Sequence, residues 1–236
     1  GLFWPPDPTS AAYCTIGGNL AYNSAGPRAL KYGTPRENTL ALRAVTGNGE
    51  TLRCGTLTTK GVVGYDLTRL LIGSEGTLAI ITEATLKLTP MARSKATMQA
   101  QYRSSRAASM AVSAIMRQEC TPCSLEFMDH HCLDIIRQQS DLAIPEEMGA
   151  VLIIEADGNQ ASLPQQVESI AKAAHNAGLL AFASAVSGPE AQNLWKLRKA
   201  LSPALRTLAP NKINEDVVVP VSRISELIAG LDVLAE

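Results

Sequence analysis

PPDPTSAAYCTIGGNLAYNSAG, residues 5–26, and GSEGTLAIIT, residues 73–82, decide how the rest of this chain is read. Gly17, Gly18 and Gly26 leave backbone uncovered and can take angles closed to other residues. Thr15, Asn19, Asn23 and Ser24 set short donors and acceptors beside it. Exposed amides and hydroxyls of this kind can wrap a diphosphate or a polar heterocycle without a cluster of lysines. The ligand they imply is large, polar in parts and held by backbone. Glycines also mark turns in β-rich domains, which is their commonest use, and glycine placement alone does not separate the two readings. A dinucleotide site of the Rossmann kind is excluded, because no G-x-G-x-x-G follows a strand and opens a helix; G-x-x-x-x-G-K-[ST] is absent as well.

The 236 residues suffice for one large domain or two small ones. Lys and Arg number 21 against 22 Asp and Glu, giving a formal net charge of −1. With no basic stripe, nucleic acid is not an expected partner. No apolar run approaches the ~20 residues that cross a bilayer. Gly1 begins in mid-motif and does not read as a native start.

Four blocks carry a resemblance to a known family: PPDPTS, CTIGGN followed by NSAGPRALKYG, GYDLTRLLIGSEGTLAIIT, and the closing LKLTP. In order and spacing, the stretch 6–90 resembles the FAD-binding domain of the vanillyl-alcohol-oxidase superfamily. Within it the likeness is to the branch of glycolate oxidase flavoprotein subunits, D-lactate dehydrogenases and D-2-hydroxyglutarate dehydrogenases. The resemblance implies an α+β protein: residues 1–90 as the second lobe of the FAD-binding domain, and residues 91–236 as a ferredoxin-like cap domain, both incomplete. It implies FAD contacts from Pro6, Pro8, Ser10, Cys14, Thr15, Ile16, Gly17, Gly18, Asn19, Asn23, Ser24, Gly26, Glu75, Gly76 and Ile80. Ala25 and Ala79 stand where the family usually has glycine.

The pattern changes near Pro90. Before it the chain is rich in Gly, Thr and Asn; after it, strand and helix patterns alternate. Residues 95–102 alternate in polarity like a strand, and residues 104–119 carry Ala108, Ala111, Val112, Ile115 and Met116 at helical spacing. A strand over 124–128 leads into a helix over 130–139 capped by Asp129. Residues 149–156 (GAVLIIEA) read as a buried strand. Ser162-x-x-Gln165 predicts a capping box opening the next helix, with Gly178 at its C-cap. Strands follow over 180–186 and 213–219, with a helix from Ser187-x-x-Glu190 and another over 222–234. The sum is a mixed sheet with helices packed on it.

The helix after Glu190 carries a second candidate site. Leu194, Leu197 and Leu201 form an apolar line, Trp195 and Arg198 share an adjoining face, Ser202 lies four beyond, and Pro203 is expected to kink or restart the helix. A guanidinium offers a carboxylate two parallel donors; it can equally cover an apolar neighbour as a solvated side chain. In the resembled dehydrogenases the arginine of W-x-x-R binds the substrate carboxylate, which implies Arg198, with Ser202 and Lys212 contributing.

Cys14, Cys54, Cys120, Cys123 and Cys132 are odd in number and scattered, unlike a disulfide framework. Cys120-x-x-Cys123 followed by His130-His131-Cys132 has metal-ligand residue types, but a strand running straight into a helix leaves no compact knuckle, and no metal site is expected there. The resembled family's H-x-G-D-G-N-x-H and E-H-G blocks, which supply its metal-binding and proton-abstracting histidines, do not occur. His130, His131 and His175 match neither block, so no catalytic residue is expected within this chain, and a catalytic metal is expected only with those missing histidines.

The resemblance implies FAD-dependent oxidation of a small D-2-hydroxy acid, glycolate or D-lactate, with electrons passed to a protein acceptor or a quinone. It implies partner subunits and a cytoplasmic location, or one peripheral to a membrane through those subunits. Two alternatives stay open: another alcohol substrate on the same fold, or an inert folded piece without cofactor, since this chain alone is expected to bind FAD poorly and to be inactive.

Overall fold

The computed structural model describes residues 1–186, 188–208, 211, 213 and 216–235. It divides into two compact units, Gly1–Met91 and Ala92–Glu236.

In the first unit the elements run β1 (Leu2–Phe3), α1 (Ile16–Tyr22), α2 (Ala29–Tyr32), β2 (Thr39–Thr46), β3 (Thr51–Gly55), α3 (Leu67–Leu71), β4 (Ala79–Leu86) and β5 (Thr89–Pro90). Strand β2 lies between β3 and β4, antiparallel to both, while β1 pairs with β5. Leu20, Leu42, Ala44, Leu71, Ile72 and Ala79 form the core. Helix α1 starts where extended Thr15 accepts the Gly18 N–H on its hydroxyl at 3.0 Å, the standard way to satisfy an orphan helix donor. It stops at Asn23, whose left-handed backbone (φ 51°) turns its N–H back to the carbonyls of Asn19 and Leu20.

The second unit runs β6 (Ser94–Tyr102), α4 (Ser105–Ile115), β7 (Ser124–Met128), α5 (His130–Gln139), β8 (Ala150–Gly158), α6 (Leu163–Ala174), β9 (Leu179–Ala185), α7 (Gly188–Leu194), α8 (Lys196–Leu208) and, after a 3₁₀ turn, α9 (Ile224–Ala235). Its sheet order is β7-β8-β6-β9, and every neighbouring pair is antiparallel. The expected mixed sheet is therefore corrected to an antiparallel one. Each crossover through α4 or α6 skips one strand position, and a strand of opposite direction fills the gap. Two interleaved β-α-β units result, the ferredoxin-like arrangement.

Alternation along β6 sorts the faces. Ala96, Met98, Ala100 and Tyr102 join Ala150, Leu152, Ile154 and Ala156 of β8 beneath α4 and α6. Tyr102 keeps its hydroxyl satisfied in this core by donating to the Ala174 carbonyl at 2.7 Å, and burial raises its pKa well above the usual phenol value. On the opposite face Met128, Val151, Leu133, Ile136 and Met148 cluster with Leu197, Ala200 and Leu201 of α8.

Four local expectations change. Ser162 is helical in backbone and makes no side-chain cap; its hydroxyl donates to the Asn159 carbonyl, because the turn into α6 begins at Asn159. Helix α6 ends at Ala174, with His175 as C-cap. Gly178 serves instead where the chain passes α4: a Cβ there would lie 2.4 Å from that of Ala107. The described residues of 213–219 form no strand and pair with no sheet; Val217 and Val218 are exposed. The helix break falls at Trp195 rather than Pro203, which lies inside α8. Gln99 Nε2 donates to the Leu194 carbonyl at 3.0 Å, taking the acceptor that would continue α7. Ser187 lies outside the described residues.

Candidate functional site

In the first unit, α1 and the turn after α3 are tied together by main chain. Gly73 N–H donates to Leu20 O and Glu75 N–H to Ala21 O, each at 2.9 Å. This brings the two informative stretches side by side around a cleft of about 250 Å³ lined by Gly17, Gly18, Ala21, Ser74, Gly76 and Ile80. Ala79 also lines it, yet is buried in the core cluster. Thr15, Ile16, Gly17 and Gly18 are exposed, as are Ser10 and Cys14 on the preceding turns, whereas Pro6 and Pro8 are buried. Glu75 is exposed and held left-handed at φ 54°, a conformation that costs a residue with a side chain of its length and marks a constrained turn.

Other flagged residues hold the frame. Asn19 is buried and donates its amide to the Ser24 carbonyl, with its Oδ1 unpartnered among the described residues. Asn23 Oδ1 accepts from the Arg36 N–H at 3.2 Å. Gly26 sits against Asp7, where a Cβ would lie 2.0 Å from the carbonyl oxygen. Gly17 and Gly18 differ in kind: a Cβ on either would meet only Thr15 Oγ1, at 3.9 and 3.4 Å. Glycine inside a helix costs roughly 1 kcal/mol against alanine, and nothing inside this unit requires it at these positions. Backbone approached from outside does. The residues present thus fit a bulky planar or polar ligand lying against α1 and the 73–77 turn.

In the second unit a polar patch interrupts the sheet face that α5, α7 and α8 cover. The register places Thr97, Glu155 and Ser124 in one row, and Gln99, Ile153 and Glu126 in the next. Glu155, only 6% exposed, receives three donors on one oxygen: Lys95 Nζ at 2.7 Å, Trp195 Nε1 at 3.0 Å and Thr97 Oγ1 at 3.3 Å. Ser124 Oγ, in the same row, is buried without a partner among the described residues. One turn along α8, Arg198 donates from Nε to Glu126 Oε2 at 2.8 Å. Trp195 and Arg198 therefore reach two different acids on adjacent strands. Ser202 is exposed on α8, and Lys212 lies outside the described residues.

Sequence reasoning missed Glu126 and Glu155. Glu126 is the lone carboxylate of Ser-Leu-Glu-Phe-Met, and Glu155 ends the aliphatic run of GAVLIIEA with Asp157 two residues on; an acid inside such a strand was the available signal, since a buried acid requires a partner. Beside this pair, Cys132 is half-buried at the start of α5, its N–H capped by Asp129. Burial first, and then the Asp129 charge, push its thiol up to about 12, which favours the protonated form. Among the described residues the one group of metal-ligand type is His130, His131 and Asp232, and it includes none of the cysteines. The two imidazoles occupy the first two positions of α5, their ring centroids 3.9 Å apart and their planes tilted by 36°, at the helix end least favourable to a cation. No described helix is long and apolar enough to cross a membrane.

Residues 91–236 match the C-terminal domain of FAD linked oxidases, and residues 1–55 match an FAD binding domain. The chain is 40% identical over 235 residues to the glycolate oxidase subunit GlcD of Bacillus subtilis, a match spanning 100% of this chain and 50% of that protein. It is 33% identical to a D-lactate dehydrogenase of Anaerostipes hadrus, across 97% of this chain and 49% of that one. A solved alkyldihydroxyacetonephosphate synthase superposes with a TM-score of 0.67 over 88% of this chain and 40% of its own, at 23% identity, a likeness of fold. The chain spans about half the length of the curated relatives it matches.

Proposed function

Because this chain belongs to the FAD-linked oxidase family, we propose that it provides one wall of a flavin site and the substrate-facing cap of an enzyme oxidising a small D-2-hydroxy acid, glycolate or D-lactate, to the 2-oxo acid. The relatives named as glycolate oxidase and D-lactate dehydrogenase support that substrate class. The observation that carries the reading is Arg198: a guanidinium held on the polar sheet face, engaged through Nε alone among the described residues. Its terminal nitrogens offer a substrate carboxylate two parallel donors. Ser202, one turn further on α8, would add a hydroxyl, and Lys212 a second cation.

Thr15, Gly17, Gly18, Ser24, Glu75, Gly76 and Ile80 would hold the flavin, with Pro6, Pro8, Ser10, Cys14, Ile16, Asn19, Asn23 and Gly26 shaping the segments that carry them. When bound, FAD supplies the hydride acceptor for the substrate's α-carbon. The cap's residues bind and orient: Arg198 fixes the carboxylate, and so fixes which hydrogen of the neighbouring carbon is presented. The base that takes the hydroxyl proton, and any catalytic metal, would come from outside this chain. Electrons would leave to a protein acceptor or a quinone; the word subunit in the Bacillus relative's name supports an assembly with partner chains.

Two variants of the complete protein test the reading. Arg198→Ala should lower kcat/KM by roughly 10–100-fold with flavin content unchanged; an unaltered kcat/KM would remove Arg198 from the site. Gly17→Ala should leave folding as stable or slightly more so, since alanine is the better helix former, while flavin retention falls. Full flavin retention would place the cofactor elsewhere.

A further inference from the structure

Two histidines and an aspartate far apart in sequence meet at the start of α5. His130 and His131 open that helix, and Asp232 comes from α9. One nitrogen or oxygen from each lies within 4.8 Å of the others. His131 Nε2 and Asp232 Oδ1 stand 3.8 Å apart, too far for a hydrogen bond. That gap is close to the roughly 3.4 Å that separates two ligands of a tetrahedral ion with bonds of ~2.1 Å. Among the described residues the Asp232 carboxylate makes no other ion pair, although Arg106 of α4 lines the same groove. Ser105 Oγ, at the start of α4, lies 3.4 Å from His130 Nδ1 and steadies that ring. The α5 dipole opposes a cation here. Two carboxylates offset it: Asp232 itself, and Asp129, which caps the helix by accepting the Cys132 N–H at 2.9 Å. The other nearby acids are engaged, Asp134 with Arg137 and Glu226 with Arg223. Helix α9 is lightly anchored. Ile224 at its start packs on the core, and Ser225 Oγ meets Ser109 Oγ of α4 at 2.8 Å. Beyond these, Leu231, Val233 and Leu234 are exposed, and no residue of α9 whose burial is described is fully buried.

We propose that His130, His131 and Asp232 form a site for a divalent ion of the zinc class, and that the ion clips α9 to the start of α5. The site is independent of the flavin, of Arg198 and of any catalytic metal supplied from outside this chain. Two imidazoles and one carboxylate suit zinc and its transition-metal neighbours, whereas magnesium and calcium prefer oxygen ligands throughout. Three protein ligands leave the fourth position to water. Closing the donors from 4.8 Å to about 3.4 Å takes side-chain rotation, which turns the two tilted rings so that their nitrogens converge. His131 is half-exposed and Asp232 more than a third exposed, so that rotation disturbs no core packing. The ion binds only while α9 is in place, and its occupancy therefore opposes the helix peeling away.

The test uses the complete protein as wild type, His130→Ala, His131→Ala and Asp232→Asn, each stripped with a chelator and dialysed against ~10 µM free zinc chloride. Elemental analysis should find about one equivalent of zinc fewer in each variant than in wild type, whatever the protein holds elsewhere. Zinc should also slow tryptic cleavage after Arg223, on the exposed turn into α9, about tenfold in wild type and not at all in the variants. Flavin content and circular dichroism identify any variant that has misfolded. His130 is half-buried, so His131→Ala and Asp232→Asn carry the test if His130→Ala fails to fold. Equal zinc content in wild type, His131→Ala and Asp232→Asn overturns the proposal, as does binding seen only at about 1 mM zinc or above. Zinc lost with the histidines but kept by Asp232→Asn, with cleavage after Arg223 unslowed, overturns it too, because α9 then contributes no ligand.

Discussion

The two faces of the second unit's sheet are built by the same strands to opposite ends. Along β6, every second residue from Ala96 to Tyr102 enters a core of aliphatic side chains under α4 and α6, while Lys95, Thr97, Gln99 and Gln101 point to the other side. Both faces are covered by helices, so solvent does not account for the polarity of the second. Polar groups under a helix cost stability unless each finds a partner. Here Glu155, Gln99 and Glu126 find theirs in α7 and α8 and in the junction between them. One face holds the unit together; the other sets the angle and exposure of a particular helix.

Substitutions should expose that division by size of effect. Ile154→Ala, on the fully buried apolar face, should destabilise by about 2–5 kcal/mol in urea denaturation, with substrate affinity of the surviving protein unchanged. Glu155→Ala should cost less, roughly 1–3 kcal/mol for the donors it strands, but should loosen α8 and therefore also raise KM. An effect of Glu155→Ala on stability alone would erase the distinction between the faces. Glu126→Gln should change stability by under about 1 kcal/mol, because the pair is partly exposed and screened; its consequences are kinetic. Smallest of all, Cys132 should react with iodoacetamide at pH 8 far more slowly than exposed Cys14, since its thiol is held up to about 12. Alkylation of both at one rate would show that the start of α5 is open.

The apolar face was legible in the sequence, and the polar one only in part. GAVLIIEA announces a buried strand whatever it pairs with, and Asp129 is a helix cap that needs no distant partner. Arg198 was singled out by its spacing from Trp195 together with a family likeness. Its counterpart Glu126 was not, because the acid that meets a given arginine depends on which strand lies beside which, and that register is fixed between segments far apart in sequence. The same dependence bears on the strand expected over 213–219, whose described residues form none. Three consecutive valines have the local preference for a strand, but a strand exists only where a partner edge receives it. In the first unit, the short reach of a glycine-lined turn made the cleft readable, while the separate duties of Gly17 and Gly26 required knowing what lies next to each.

The interleaved strand order has a consequence in time. Strand β6, central in the sheet, pairs only with β8 and β9: the partner of Tyr102 is Ala150 and that of Thr97 is Ala185. No tight hairpin joins neighbours in this sheet, so nothing local can nucleate it, and loop closure must come before any pairing. On a translating ribosome adding ~5–20 residues per second, β6 would wait on the order of seconds for its first partner. Through that interval one face of the nascent strand carries Met98, Ala100 and Tyr102 uncovered, and an assisting chaperone would have the most to hold there.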